Sequence, residues 1–172
     1  MGDITNLVLL VPEAERVLAA ANALVPPGQR LTTPAHIKLV YPFIPPEALT
    51  PAARAERVAF FNAVPPLTFE LGVGWFGREV LLLQPSPAGA LVELTQATLD
   101  RWPDYPYYGG AYDEIVPHLS LAFGTAEMLE RIASEVERFT PISTTVRDVK
   151  LLIGPHERMT PRASFALGGR ST

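Results

Sequence analysis

The chain has 172 residues, is 48% hydrophobic and carries a formal net charge of −4. That is enough apolar material for one sizeable core, and too acidic a surface for broad non-specific binding to nucleic acid, which needs dense cationic patches to displace counterions. Cysteine is absent, which excludes disulfides, zinc–thiolate sites and thiol nucleophiles, and no segment approaches the ~20 apolar residues of a membrane span.

Residues 4–11 (ITNLVLLV) form an apolar run the length of a strand buried on both faces, bounded by Pro12. The opening has no basic leader ahead of this run, so a cytoplasmic protein without a membrane anchor is expected. PEAERVLAAANALV follows, with proline where a first helical turn tolerates it, acids early, and Val17, Leu18, Ala21 and Leu24 at helical spacing. The loop PPGQRLTTP leads to a strand over 36–41 (HIKLVY), and PAARAERVAFFNAV reads as a second helix. Strands over 67–73 and 79–84 are joined through GWFGR, whose glycines suit a reversal. AGALVELTQATLDRW is helical by period, and PDYPYYGGAYDEIVP is a long aromatic, glycine-containing loop before the strand HLSLAF. TAEMLERIASEVERF is a helix with Thr125 as N-cap and Met128, Leu129, Ile132 and Val136 on one face. ISTTVRDVKLLI and ASFALG close the chain as strands. The 18 prolines sit in short clusters that punctuate these elements rather than in a linker, so the expectation is one α+β domain over 1–172, in two lobes.

Two of the three histidines open strands of matching pattern. Side chains alternate faces along a strand, so HIKLVY places His36 and Lys38 on one face and Ile37, Leu39 and Tyr41 on the other; HLSLAF likewise separates His118 and Ser120 from Leu119, Leu121 and Phe123. Both have proline just upstream (Pro34, Pro117), leucine at the fourth position and an aromatic at the sixth. By alternation Tyr41 and Phe123 point coreward. A duplicated unit of this kind would set the two strands across a groove with the imidazoles facing each other. Displacement at phosphorus needs a base on the attacking oxygen and an acid on the leaving oxygen, and two histidines supply both near neutral pH. The polar residue two positions on then meets the non-bridging oxygens as charge develops.

The paired histidine motif resembles that of the 2H phosphoesterase superfamily, and TPAHIKLVYPFIPP with RWPDYPYYGGAYDEIVPHLSLAFG resembles its bacterial 2′-5′ RNA ligase family branch. The resemblance runs from the first strand to the final FALG. It implies a two-lobed, pseudo-symmetric α+β fold with antiparallel sheets lining a central groove, and metal-independent chemistry without a cofactor. It also implies opening of a 2′,3′-cyclic phosphodiester to a 2′-phosphomonoester, with 2′-5′ ligation as the reverse. Partners would be an RNA end carrying a cyclic phosphate or a small cyclic nucleotide, met by a monomer. His36 and His118 match the two catalytic histidines and Ser120 matches the second hydroxyl. Lys38 departs from the pattern, which has threonine or serine there. Its ammonium can contact a phosphate as a point charge and lowers the pKa of a nearby imidazole, favouring His36 as base and His118 as acid. The same departure leaves open a nucleotide- or RNA-end-binding module without turnover, or an enzyme redirected to a small cyclic-phosphate metabolite.

Tyr107, Tyr108 and Tyr112 offer stacking faces for a base, with packing of the loop as the alternative. Arg158 and Arg162 flank the final strand, where they would neutralise phosphate or lie at a solvated rim. His156 sits among turn residues. With no cysteine and two of three histidines in facing motifs, no metal site is expected.

Overall fold

The computed structural model describes residues 2–156 and 158–169. Strand β1 (Ile4–Leu10) is apolar for most of its length and buried on both faces. Pro12 opens a single 3₁₀ turn that leads into helix α1 (Glu15–Asn22). Val17, Leu18 and Ala21 are buried on α1, but Leu24 lies past its end and is 38% exposed. At the helix end the Asn22 side chain pairs with the backbone of Leu31, donating to its carbonyl at 2.9 Å and accepting from its N–H at 3.1 Å. The chain then reaches β2 (His36–Val40) and α2 (Pro51–Asn62), whose N-cap Thr50 accepts from the Ala53 N–H at 3.1 Å.

A hairpin of β3 (Leu67–Phe76) and β4 (Val80–Ser86) is followed by α3 (Gly89–Arg101), β5 (Leu119–Phe123) and α4 (Ala126–Val136). Thr125 caps α4 by accepting from the Met128 N–H, and Leu129, Ile132 and Val136 form its buried stripe while Met128 stays partly exposed. The segment expected as one strand over 142–153 is two: β6 (Ile142–Val146) and β7 (Asp148–Gly154). Only Arg147 separates them, yet β6 pairs with β3 and β7 with β1. β8 (Thr160–Ala166) closes the order.

The strands form two antiparallel four-stranded sheets, β2-β1-β7-β8 and β5-β4-β3-β6. This is the expected two-lobed α+β arrangement, and its pseudo-symmetry is explicit. Each histidine strand is the edge of its sheet, and each follows its neighbour through one helix. The two edges β2 and β5 contact each other, α1 reaches across to β5, and α3 reaches across to β2. One hydrophobic cluster joins both sheets, including Leu7, Leu9, Ile37 and Leu39 from one and Leu71, Leu81, Leu119 and Leu121 from the other. Burial of that shared core fixes the two edges side by side. Among the described residues, no helix is long and apolar enough to cross a membrane.

Candidate active site

The two imidazoles are held in the same way. His36 Nδ1 lies 2.7 Å from the carbonyl of Pro34, and His118 Nδ1 lies 2.8 Å from the carbonyl of Val116, in both cases two residues back. A carbonyl only accepts, so each Nδ1 carries the proton and each Nε2 presents its lone pair. Burial lowers the His36 pKa from 6.5 to about 4; the Pro34 carbonyl works against this, and the nearby charges of Lys38 and His118 add to it. His118 is lowered chiefly by burial, opposed by the Val116 carbonyl and assisted by Lys38. β2 and β5 contact each other and both imidazoles line one groove, so the two motifs share one locus.

Lys38 stands on the histidine face of β2, with its ammonium 4.7 Å from the Tyr41 ring centre and 5.5 Å from that of Tyr108. None of the ion pairs among the described residues involves it. Burial lowers its pKa. A partly buried cation set against π faces is ready to take an anion. Ser120 occupies the corresponding place on β5, facing the same space.

The expectation for Tyr41 and Phe123 is corrected, and for one physical reason that acts twice. In the β1–β2 ladder Val8 pairs with Lys38 but Leu7 with Val40, so Leu39 is an extra residue; in the β4–β5 ladder Leu82 pairs with Ser120 but Leu81 with Ala122, so Leu121 is extra. Each motif strand therefore carries a β-bulge just after its polar residue, and a one-residue insertion inverts the facing of everything beyond it. Val40 and Ala122 turn into the core, and Tyr41 and Phe123 turn out to the groove, Phe123 at 49% exposure.

The groove has two arms that share Lys38, Tyr108, His118, Ser120 and Phe123. An aromatic arm of about 610 Å³ adds Phe76, Tyr107 and Tyr112, with Asp113 and Glu114 in its wall. A polar arm of about 620 Å³ adds His36, Tyr41, His156, Arg30, Arg158 and Asn6. His118 is sandwiched in the first arm: Phe76 meets it edge-on at 4.8 Å and Tyr108 lies parallel to it at 6.2 Å, with the Tyr108 hydroxyl 3.5 Å from Nε2. Tyr108 is the one described non-glycine residue at positive φ (48°), followed by Gly109 at 64°. That left-handed turn aims the ring into the groove against a local strain.

Of the three tyrosines, Tyr112 is 62% exposed in the aromatic arm, whereas Tyr107 is buried and donates to the same Val116 carbonyl that His118 uses, at 3.4 Å. Tyr107 therefore supports the histidine rather than offering a free face. His156, a loop residue in the sequence, packs edge-on against Tyr41 at 5.7 Å in the polar arm. Arg158 joins it there and Arg162 does not line either arm. The sheet order explains this: Arg162 is on β8, three strands removed from the β2 edge. Asn6 and Arg30 carry no signal in the sequence, one lying in an apolar strand and the other in a proline-rich loop. Among the described residues, no group of three or more His, Cys, Asp or Glu has the geometry to hold a metal ion.

A family model described as the 2′-5′ RNA ligase superfamily matches residues 11–156. No protein of curated function matches the sequence. Among solved structures, TT0787 of Thermus thermophilus is similar at a TM-score of 0.65 and 18% identity, over 98% of this chain and 100% of that one. LigT of E. coli in its apo form is similar at 0.57 and 19%, over 97% and 98%, and LigT complexed with 3′-AMP at 0.55 and 19%, over 97% and 99%.

Proposed function

Because the chain belongs to the 2′-5′ RNA ligase superfamily, we propose that it is a metal-independent phosphoesterase that opens a 2′,3′-cyclic phosphodiester to a 2′-phosphomonoester. The observation that carries this reading is the matched pair: two imidazoles on adjacent sheet edges, each locked through Nδ1 with Nε2 directed away from that lock, and beside them an ammonium that joins none of the ion pairs among the described residues. His36, lowered to about 4, is neutral at physiological pH and takes a proton from water as its oxygen bonds to phosphorus. The bond from phosphorus to O3′ breaks, and His118 gives its Nε2 proton to that oxygen. The anionic diester between the two strands raises the His118 pKa and so loads the acid when substrate is in place. Lys38 and Ser120 hold the non-bridging oxygens. With a 5′-hydroxyl attacking phosphorus in place of water and O3′ again leaving, the same groups form a 2′-5′ linkage; run backwards, they cleave it.

The two arms are each the size of a small-molecule site, and LigT is known in complex with 3′-AMP, which supports a nucleotide-sized ligand. The deciding experiment is hydrolysis of 2′,3′-cyclic nucleotides with EDTA present, comparing the parent protein with His36→Ala, His118→Ala and Lys38→Thr. Turnover in the parent that survives EDTA and is lost in both histidine variants is the expected result. Nucleotide binding without turnover in the parent, with turnover gained in Lys38→Thr, would select instead a binding module on this scaffold, the reading that the lysine substitution favours.

A further inference from the structure

The charges in the groove are segregated. Apart from Lys38, which lines both arms, Arg30 and Arg158 line the polar arm, where none of the lining residues among those described is an acid, while Asp113 and Glu114 both line the aromatic arm. In a protein of net charge −4 this places the groove's arginines on one side of the histidine pair. The aromatic arm suits a base, whose faces stack and whose N–H groups a carboxylate accepts. A second negative group on the substrate would be repelled there and drawn to the other arm.

The polar arm is also a built wall. The loop carrying Arg30 is pinned along its length: Leu31 to the Asn22 carboxamide, the Ala35 N–H to Glu15 at 2.6 Å, and the Met159 N–H to the Thr33 hydroxyl at 3.4 Å. Arg30 itself is anchored by Nε donation to the Val25 carbonyl at 3.1 Å, which leaves its terminal nitrogens for a ligand. Arg158 lines the same arm from the β7–β8 turn.

A second observation points to a ligand independently of charge. Asn6 lies on β1 opposite Leu152 of β7, lines this arm and is 1% exposed, yet its Oδ1 has no hydrogen-bond partner and its Nδ2 has only the Met159 sulfur at 4.0 Å. A buried amide left this poorly satisfied in a largely apolar strand is destabilising on its own. A sugar hydroxyl, donor and acceptor at once, satisfies it.

We propose that the polar arm is a second anion subsite, in which Arg30 and Arg158 bind a phosphate that the substrate carries away from its reacting phosphate, with the Asn6 amide on the sugar between them. The substrate is then a nucleotide with two phosphate groups, the second being either a 5′-terminal phosphate or the first internucleotide phosphate of an RNA end. This rests on the phosphoesterase reading for the reacting phosphate but not for the binding of the distal one. Guanidinium groups suit the role because they grip phosphate oxygens in pairs.

The test compares three substrates: adenosine 2′,3′-cyclic phosphate with a free 5′-hydroxyl, the same with a 5′-phosphate, and the dinucleotide ApA ending in a 2′,3′-cyclic phosphate. The distal phosphate is expected to raise kcat/KM at least tenfold through KM, and the ratio between the two mononucleotides should fall to near one in the Arg30→Gln/Arg158→Gln double variant. Asn6→Leu, which fills the same volume without an amide, should weaken KM for all three. An advantage shared by the dinucleotide identifies an RNA end; an advantage limited to the 5′-phosphate identifies a free nucleotide. Equal kcat/KM across the three substrates, or an advantage that survives the double variant, overturns the subsite while leaving the esterase reading in place. Calorimetric binding of adenosine 2′-phosphate and adenosine 2′,5′-bisphosphate separates the two claims. Arginine-dependent tighter binding of the bisphosphate without turnover would retain the subsite and remove the esterase, and equal binding would remove the subsite.

Discussion

Replacing His36 by asparagine should flatten the acid limb of the protein's stability, and the size of the effect follows from the site. The folded protein holds this imidazole at about 4 against 6.5 in the free residue, mainly because protonation would place a charge in a buried position beside Lys38. At about 1.36 kcal/mol per pH unit, the gap corresponds to about 3 kcal/mol of preference for the neutral ring. Between these two values the unfolded chain binds a proton that the folded chain refuses, so stability falls as pH drops from about 6.5 towards about 4. About 2.5 kcal/mol of this is already lost near pH 4.5. Asparagine does not titrate, and its amide can still donate to the Pro34 carbonyl. Urea unfolding of both proteins, from just above neutrality down to about pH 4.5, should therefore show the difference in stability between parent and variant shifting by about 2.5 kcal/mol in favour of the variant as pH falls. Carboxylates common to both proteins cancel in that difference. Parallel stability curves would refute the argument that burial keeps His36 neutral, and with it the basis for naming His36 the base.

The kcat/KM profile of the free enzyme should be a bell lying on the acid side of neutrality, rising through about 4 as His36 deprotonates and falling below 6.5 as His118 does. Lys38→Met should move both limbs to higher pH, since the lysine lowers both histidines; an unmoved profile would show that its charge is not felt there. Tyr112→Ala should raise KM for an adenine nucleotide about fivefold or more, from the loss of roughly 1–3 kcal/mol of stacking, with no change in Tm because the ring is 62% exposed; a Tm drop with unchanged KM would make it a packing residue. Thr125→Ala removes the α4 cap and should cost about 1 kcal/mol, seen as a fall in Tm of about 2–4 °C with kcat/KM unaltered.

Much of the site is legible in the sequence because it is written in strand periodicity. His36 with Lys38, and His118 with Ser120, follow from alternation because each bulge falls just beyond the pair. Two residues further on the same rule fails at Tyr41 and Phe123, because the bulges at Leu39 and Leu121 depend on how each strand pairs with its neighbour and leave no mark in the pattern of apolar residues. The helices are legible to within a turn wherever a cap or a proline bounds them, as at Thr125 and Pro51. The split at Arg147 is not, since β6 and β7 are both good strands and only their partners differ.

The fold class and the duplicated histidine motif can be read from residue order, because alternation, helical period and local capping act over a few residues and survive without knowledge of contacts; the family follows from the resemblance that the duplicated motif carries. Long-range packing was needed to establish that the two motifs are facing sheet edges, that Tyr108 closes over His118 while Arg162 lies three strands away, and that Asn6, Arg30 and Arg158 share one cavity. Those are distances between residues far apart in the chain, set by which strands pair and how a common core is buried, and side-chain chemistry at any one position does not encode them.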